Sequence, residues 1–259
     1  MPAGTNLVAL YSIFSDYGPL NIARGPTIRG ATDAHSVFEI LRYIYYGAVD
    51  TRSYALQLVI PTGTLHGQIS GQKLASDGGS GDMLVAGGVS LLPHPEPKFN
   101  IAIVSYTSLP TGSYAPERLL NLGANRWSED VQFGFTRGLG ERLWFDFAVD
   151  GIVYGVNGDA GPRHQTMLQQ PTFQLQSWLS YSISAASWVS AGYSSLLGGT
   201  QTLGSVENGV TTQSQQIRAA YTKFLSPSFQ LLGSIVHDLN TVGGFKQNFG
   251  LTIRAVCFF

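Results

Sequence analysis

The sequence predicts an all-β fold: an up-and-down antiparallel transmembrane β-barrel of twelve strands. Charged residues make up only 12% of the 259 residues, about half of the ~25% typical of soluble domains. Glycine and aromatic residues are frequent, with 31 Gly, 14 Phe, 12 Tyr and 4 Trp. No apolar run approaches the roughly 18 residues of a membrane helix. Several segments instead alternate apolar and polar residues with a period of two, which is typical of strands between lipid and a lumen.

The N-terminal half contains six predicted strands, each ended by residues that break strands. Gly18-Pro19 ends the first, Gly47 opens a short turn after the second, and Pro61-Thr62-Gly63 ends the third. Proline-rich residues 93–97 form a tight turn after the fourth, and residues 110–125 loop out after the fifth. The predicted strands cover residues 6–17, 35–46, 52–60, 82–91, 99–109 and 126–136.

The C-terminal half contains six more predicted strands. Residues 138–141, Ala185-Ala186 and Ser226-Pro227-Ser228 form short turns, residues 157–169 and 198–212 form long loops, and residues 240–244 form a smaller loop. The predicted strands cover residues 143–156, 172–184, 188–197, 213–225, 229–238 and 245–259.

Loop lengths alternate along this meander. Connections are long after strands one, three, five, seven and nine and short after the even-numbered strands, so all long loops lie on one side. Bacterial outer-membrane barrels have this arrangement, whereas a soluble β-sandwich has no reason to sort its loops. The sequence therefore predicts a single domain, residues 1–259, in the outer membrane of a Gram-negative bacterium and in contact with its lipid.

The last strand shows the two faces best. One face carries Arg254 and other polar residues, and the opposite face is wholly apolar. The strand ends on Phe259, which resembles the signal that outer-membrane barrels present to the barrel assembly machinery. Glu39 disturbs the pattern of the second strand. Aromatic residues crowd beside the short turns and predict an interfacial girdle: Tyr45, Tyr46, Phe99, Trp144, Trp188, Phe224, Phe229 and Phe258.

Three segments resemble a known family. They are Pro2-Ala3-Gly4-Thr5-Asn6-Leu7, then Leu109-Pro110-Thr111-Gly112-Ser113-Tyr114 with Leu120-Asn121-Leu122-Gly123-Ala124-Asn125-Arg126-Trp127-Ser128, and Gln170-Pro171-Thr172-Phe173-Gln174-Leu175-Gln176 with Leu179-Ser180-Tyr181. Together they resemble the family described as "putative MetA-pathway of phenol degradation", which is related to a wider group of outer-membrane channels for hydrophobic compounds.

This resemblance implies a twelve-stranded outer-membrane barrel that takes up small hydrophobic molecules, often aromatic or lipid-like. The phenol label reflects genomic neighbourhood more than chemistry. In related channels an N-terminal segment occupies the lumen, whereas this sequence has almost nothing before Pro2 and shows no export signal.

Charged and aromatic residues on the predicted inward face are the candidates for the substrate path. Lumen charges either pair across the barrel and fill it, which we favour, or form a constriction that sets selectivity. The inward Trp and Tyr side chains leave only a narrow space. The candidates are Arg42, Asp82, Asp130, Trp144, Asp146, Asp150, Tyr154, Trp178, Arg218 and Arg254.

Three prolines lie on the long-loop side of the barrel. Pro61 ends the third strand, Pro110 the fifth, and Pro171 starts the eighth. Because proline donates no hydrogen bond to a neighbouring strand, these positions are either plain strand ends in water or a lateral opening through which an apolar solute leaves the barrel.

Other functions have weaker support. The net charge of −1 and the single Cys257 give no case for nucleic acid, a metal site or a cofactor. His237 and Asp238 are adjacent in a strand and point to opposite faces, so they cannot form a catalytic dyad. The alternatives are a porin-like channel for small polar solutes, a barrel enzyme, a structural membrane protein and a soluble binding module; the oligomeric state stays open.

Overall fold

A computed structural model describes residues 1–93 and 98–259 and shows a closed antiparallel barrel of twelve strands, which confirms the predicted fold class. Each barrel strand pairs with its neighbours in sequence, and the last pairs with the first along Leu7–Phe258 to Asn21–Gly244. The strands are β1 (Asn6–Asn21), β2 (Asp33–Val49), β3 (Arg52–Ile69), β4 (Leu84–Ser90), β5 (Phe99–Ser108), β6 (Ser128–Gly138), β7 (Leu143–Tyr154), β8 (Thr172–Ser184), β9 (Ser187–Gly198), β10 (Gln213–Ser226), β11 (Phe229–Val242) and β12 (Gly244–Phe258).

The wall alternates as the sequence predicts. In β12, Phe249 and Ile253 point outward and are about half exposed, whereas Val256 points inward and is 3% exposed. The outward side chains of the other strands are also mainly apolar, as contact with lipid requires. The described residues contain no helix long and apolar enough to cross a membrane. The predicted turn over residues 93–97 lies outside the described residues, except for Pro93.

Two strands continue through residues that were predicted to end them. β1 continues through Gly18-Pro19 to Asn21, and β3 continues through Pro61 to Ile69, so residues 61–69 are not a loop. The carbonyl of Pro61 accepts a hydrogen bond from Gly81 N at 2.8 Å. The N–H and C=O groups of one strand residue point to the same neighbour, so the donor that Pro61 lacks is missing only on the Gly81 side. Pairing with β2 therefore continues, with Ile40 opposite Pro61.

The long connections carry structure of their own. Asp77–Ser80 pairs with the outer part of β3, and a separate four-stranded sheet forms from the two long loops of the C-terminal half. The smaller predicted loop at 240–244 is a tight turn, because β11 extends to Val242, β12 begins at Gly244, and Gly243 has a φ of +77°. The four strands of the separate sheet are Asn157–Ala160, Gln165–Gln169, Gln201–Leu203 and Val206–Glu207.

The predicted aromatic girdle is only partly correct. Tyr45, Phe99 and Phe229 share the outward face of their strands, but five of the eight aromatic residues lie on the inward face, where they line the end of the lumen beside the short turns. Trp188, Phe224 and Phe258 pack in series there, with ring centroids 6.0 and 5.9 Å apart. The five inward residues are Tyr46, Trp144, Trp188, Phe224 and Phe258. The distance of a residue from a turn sets its depth in the membrane, whereas its odd or even position along the strand sets whether it faces the lumen or the lipid.

Candidate functional site

The main candidate site is a cavity of about 800 Å³ at the long-loop end of the lumen, which we call the mouth cavity. Its walls come from β2, β3, the segment before β4, the end of β5, the separate sheet and the loop of residues 112–126, which we call the mouth loop. The lining is mainly apolar, as is typical of ligand pockets, but it includes nine polar side chains, four of them charged. The apolar lining residues are Phe38, Pro61, Pro116, Leu119, Leu122, Pro162, Met167, Leu203 and Val210.

Asp77 holds the mouth loop in place. Its side chain is 1% exposed and accepts hydrogen bonds from Arg118 Nη1 at 2.6 Å, Leu122 N at 2.8 Å and Ser113 Oγ at 3.0 Å. Three donors from one loop thus converge on a single buried carboxylate. No sequence pattern predicts this contact, because Asp77 lies in a Gly/Ser-rich stretch that is typical of a loop.

Asp82 anchors the same loop beside the wall. It lies before β4 rather than in it, and its carboxylate accepts hydrogen bonds from Gly112 N and Ala124 N, both at 2.8 Å. The backbones approach closely here, because a Cβ atom on Gly112 would lie 2.7 Å from Asp82 N and 2.8 Å from Gly123 Cα. The predicted lumen residue Asp82 is therefore a structural anchor in the wall of the mouth cavity.

The barrel wall is interrupted next to this cavity. β3 pairs with β4 as far as Val59 opposite Leu84 and pairs again from Thr62 opposite Ser80. Between these points two residues of β3 face three residues, Gly81 to Met83. Pro61 has no N–H to donate there, although its carbonyl accepts a hydrogen bond from Gly81 N. We call this interruption the seam. Pro61 and Gly81 both line the mouth cavity, so the cavity reaches the wall at the seam.

The other two candidate prolines differ in position. Pro110 follows β5 beside the seam, where Leu109 N bonds to Met83 O at 2.8 Å. Pro171 precedes β8 and accepts a hydrogen bond from Gly199 N at 3.1 Å, four strands away from β4. The structure thus brings Pro61 and Pro110 to one place and leaves Pro171 elsewhere.

A layer of hydrogen-bonded polar side chains lies below the mouth cavity. Asp150 accepts from Gln176 Nε2 at 3.0 Å, and Gln176 Oε1 accepts from Arg218 at 3.2 Å. Arg218 also donates to Gln216 at 2.9 Å, and Gln216 donates to Asp238 at 2.7 Å. This network links β7, β8, β10 and β11, and its two carboxylates are nearly fully buried.

The charged lumen candidates are separated rather than paired. Asp130, Asp146 and Asp150 lie on β6 and β7, while Arg42 and Arg254 lie across the barrel on β2 and β12. Arg218 lies nearer, on β10, and is linked to Asp150 through Gln176. Within residues 1–93 and 98–259, no lumen arginine approaches one of these carboxylates within the 4.0 Å of a salt bridge. Each arginine is instead bonded to a glutamine: Arg42 to Gln57, Arg218 to Gln176 and Gln216, and Arg254 to Gln230. The expected direct pairing across the barrel is therefore wrong.

The three inward aromatic candidates lie at different depths. Tyr154 is near the mouth and donates to Thr172 Oγ1 at 3.0 Å. Trp178 lines a central cavity of about 290 Å³, and Trp144 lines a cavity of about 590 Å³ at the short-turn end, together with Arg142 and Trp188. They therefore narrow the lumen at three levels.

Arg126 is the other residue that sequence reasoning did not single out. It ends the mouth loop, is 7% exposed and lines the mouth cavity. Its guanidinium lies 4.8 Å from the centre of the Tyr154 ring and donates through Nη2 to Gln169 Oε1. Burial lowers the pKa of the Arg126 side chain from its usual value, although a guanidinium stays charged at neutral pH. The motif Asn125-Arg126-Trp127 was the available signal.

His237 and Asp238 lie on opposite faces of β11. His237 points outward and bonds to the carbonyl of Asn248 at 2.6 Å, whereas Asp238 is buried on the lumen side. Adjacent strand positions thus separate the pair, as the alternation predicts.

Comparisons with known proteins agree with this architecture. The family model described as "Putative MetA-pathway of phenol degradation" matches residues 19–254. A comparison with curated protein sequences finds no match. An outer membrane channel from Pseudomonas putida F1 is 25% identical, with a TM-score of 0.94 over 100% of this chain and 97% of that one.

Two further structures share the fold at lower similarity. The beta domain of the Bordetella autotransporter BrkA is 9% identical, with a TM-score of 0.58 over 100% of both chains. The Ralstonia pickettii toluene transporter TbuX is 7% identical, with a TM-score of 0.56 over 100% of this chain and 90% of that one.

Proposed function

The chain belongs to the family described as "Putative MetA-pathway of phenol degradation", and from this premise we propose that it takes up small hydrophobic molecules across the outer membrane and releases them through the seam. Its relatives are channels rather than enzymes, and the outer membrane is where such barrels reside. The observation that carries the proposal is the apolar mouth cavity that touches the interrupted wall.

The polar layer supports a sideways exit. An apolar solute that continued down the lumen would have to displace the network of Asp150, Gln176 and Arg218. Buried charged groups that lose their hydrogen bonds cost several kcal/mol. Leaving through the seam instead breaks a part of the wall where Pro61 donates no hydrogen bond and its carbonyl accepts one from Gly81 N. The solute then gains contact with lipid.

A disulfide across the seam tests this route. In a Cys257→Ala background, Thr62→Cys with Ser80→Cys joins two residues that pair directly at the seam. We expect the oxidised variant to slow the uptake of a radiolabelled monoaromatic hydrocarbon by porin-deficient Gram-negative cells, and we expect reduction to restore uptake.

A matched disulfide provides the control. Ile103→Cys with Phe133→Cys joins a pair in the continuous ladder between β5 and β6, so oxidation there should leave uptake unchanged. Equal uptake by the oxidised and reduced seam variant would show that solutes do not leave at the seam.

The porin-like alternative predicts a different result. The carboxylates of β6 and β7 face Arg42 and Arg254 across the lumen, and such an arrangement would suit small polar solutes. Liposomes that contain the refolded barrel should swell rapidly in small sugars if this alternative holds, and slowly if the polar layer fills the lumen.

We also propose that Phe259 is the residue that the barrel assembly machinery recognises. It is 68% exposed and follows β12 directly, so its ring is accessible at the end of the closing strand. Removal of Phe259 should lower the yield of assembled barrel in cells but not its refolding in detergent, whereas equal loss in both would indicate a structural role.

A further inference from the structure

The guanidinium of Arg126 is a buried cation at the mouth cavity with unused hydrogen-bonding capacity. Its Nε and Nη1 atoms are shielded from water, and no acceptor among the described residues bonds to either atom. Only Nη2 has a partner, the amide oxygen of Gln169. A buried charge with unsatisfied donors is costly, so the binding of a ligand that places an acceptor next to Nε and Nη1 is strongly favoured.

The carboxylates around the cavity are already engaged elsewhere. Asp82 accepts from two backbone N–H groups, and Asp77 is paired with Arg118. Glu117 is exposed and lies 4.0 Å from His164. Within residues 1–93 and 98–259, Arg126 is therefore without an ionic partner of its own.

The surroundings of Arg126 indicate what the part of the ligand beyond its acceptor group should be. The ring of Tyr154 stacks on the guanidinium, and apolar side chains such as Pro61 and Leu122 line the same cavity. We propose that the mouth cavity binds amphiphiles with an apolar body and one carboxylate, and that Arg126 binds the carboxylate. This inference rests on the proposed uptake function and narrows its substrate class.

Access to Arg126 requires a local rearrangement. Because Nε and Nη1 are covered, the ligand must displace side chains of the cavity wall, which consists largely of loop residues. Such a ligand then gains charge-assisted hydrogen bonds, which a planar guanidinium forms well with a carboxylate. The apolar body of the ligand is either aromatic or aliphatic, and one pair of probes of each kind distinguishes these two possibilities.

The test compares carboxylates with neutral amides of the same shape. The aromatic probes are 4-tert-butylbenzoate and 4-tert-butylbenzamide, and the aliphatic probes are decanoate and decanamide. Binding is measured on the full-length barrel in nanodiscs, with empty nanodiscs subtracted. For at least one pair, we expect the wild-type protein to bind the carboxylate roughly tenfold more tightly than the amide.

Three variants assign this preference to Arg126. Arg126→Gln should abolish the preference, so that the carboxylate and the amide bind about equally tightly. Arg126→Lys keeps the charge but not the planar set of donors and should retain part of the preference. Arg163→Gln removes an exposed arginine of a neighbouring loop and should leave the preference intact.

Two outcomes overturn the inference. One is equal binding of acid and amide by the wild-type barrel, a comparison that needs no variant. The other is an undiminished preference in folded Arg126→Gln. In both cases unchanged uptake of neutral hydrocarbons by cells would leave the proposed function standing. A wild-type barrel that takes up no hydrocarbon but prefers the carboxylate would refute the proposed function alone.

Discussion

Replacing Asp77 should release the mouth loop. Asp77→Ala removes the carboxylate that pairs with Arg118 and accepts from the backbone of Leu122. Loss of one partner of a buried ion pair costs about 3–5 kcal/mol. Because the Arg118 side chain is 34% exposed, we take the lower end, about 3 kcal/mol. At about 1.4 kcal/mol per factor of ten, the open fraction of the loop should rise roughly a hundredfold.

Limited trypsin digestion measures this opening. Cleavage after Arg118 follows the population of the open loop when closing is faster than cleavage, so the cleavage rate in Asp77→Ala should rise by roughly two orders of magnitude. Cleavage after the exposed Arg163 in the same sample serves as the internal reference. Asp77→Asn should show most of the effect, because its amide group cannot accept all of the same hydrogen bonds.

A surface ion pair provides the matched control. Arg24 and Glu207 are 3.0 Å apart, with 83% and 49% of their side chains exposed, and such pairs contribute about 0–1 kcal/mol. Glu207→Ala should therefore leave cleavage after Arg118 unchanged. If Asp77→Ala were cut at Arg118 within about threefold of the wild-type rate, relative to Arg163, the buried carboxylate would not be what holds the loop.

Two further substitutions test the wall itself. Asp238→Ala leaves Gln216, Thr241 and the backbone N–H of Gln247 without their acceptor. The free energy of unfolding in urea should therefore fall by about 3 kcal/mol. The control is Asp16→Ala, which removes a half-exposed carboxylate, and an equally small loss in both variants would contradict a stabilising role of the polar layer. Glu39 points toward lipid and accepts a hydrogen bond from Ser12 Oγ at 2.7 Å. Because a carboxylate is costly on the lipid face, Glu39→Leu should raise the free energy of unfolding in vesicles by about 1 kcal/mol. A decrease would mean that the hydrogen bond to Ser12 outweighs the cost of desolvating the Glu39 carboxylate.

The sequence predicted the wall well, because the face of a strand residue depends only on its position relative to its neighbours. Leu143 to Val149 and Phe173 to Ile183 sort into outward apolar and inward polar sets in the structure as they do in the sequence. Local signals were weaker at the ends of strands. Pro61 reads as a strand breaker, yet β3 continues through it, since its missing donor faces the seam rather than β2.

The candidate site was less accessible to sequence reasoning. Asp82, Asp150, Arg218 and the prolines could be named from their types and positions, but their partners could not. The position of the aromatic residues near the short turns predicts a lipid interface, although five of the eight line the lumen. Their proximity to a turn indicated their depth in the membrane but not the face of the barrel wall on which they lie.

The sequence by itself determined the class of fold, the number of strands and the side to which the long loops belong, because alternation and turn residues act between neighbours in the chain. Only the tertiary structure decided that Asp77 captures Arg118 and Leu122, which are 41 and 45 residues away, and that Arg126 is buried beside Tyr154 without an ionic partner among the described residues. Closing the barrel brings these groups together, and the energy of a buried charge depends on which partners that closure supplies.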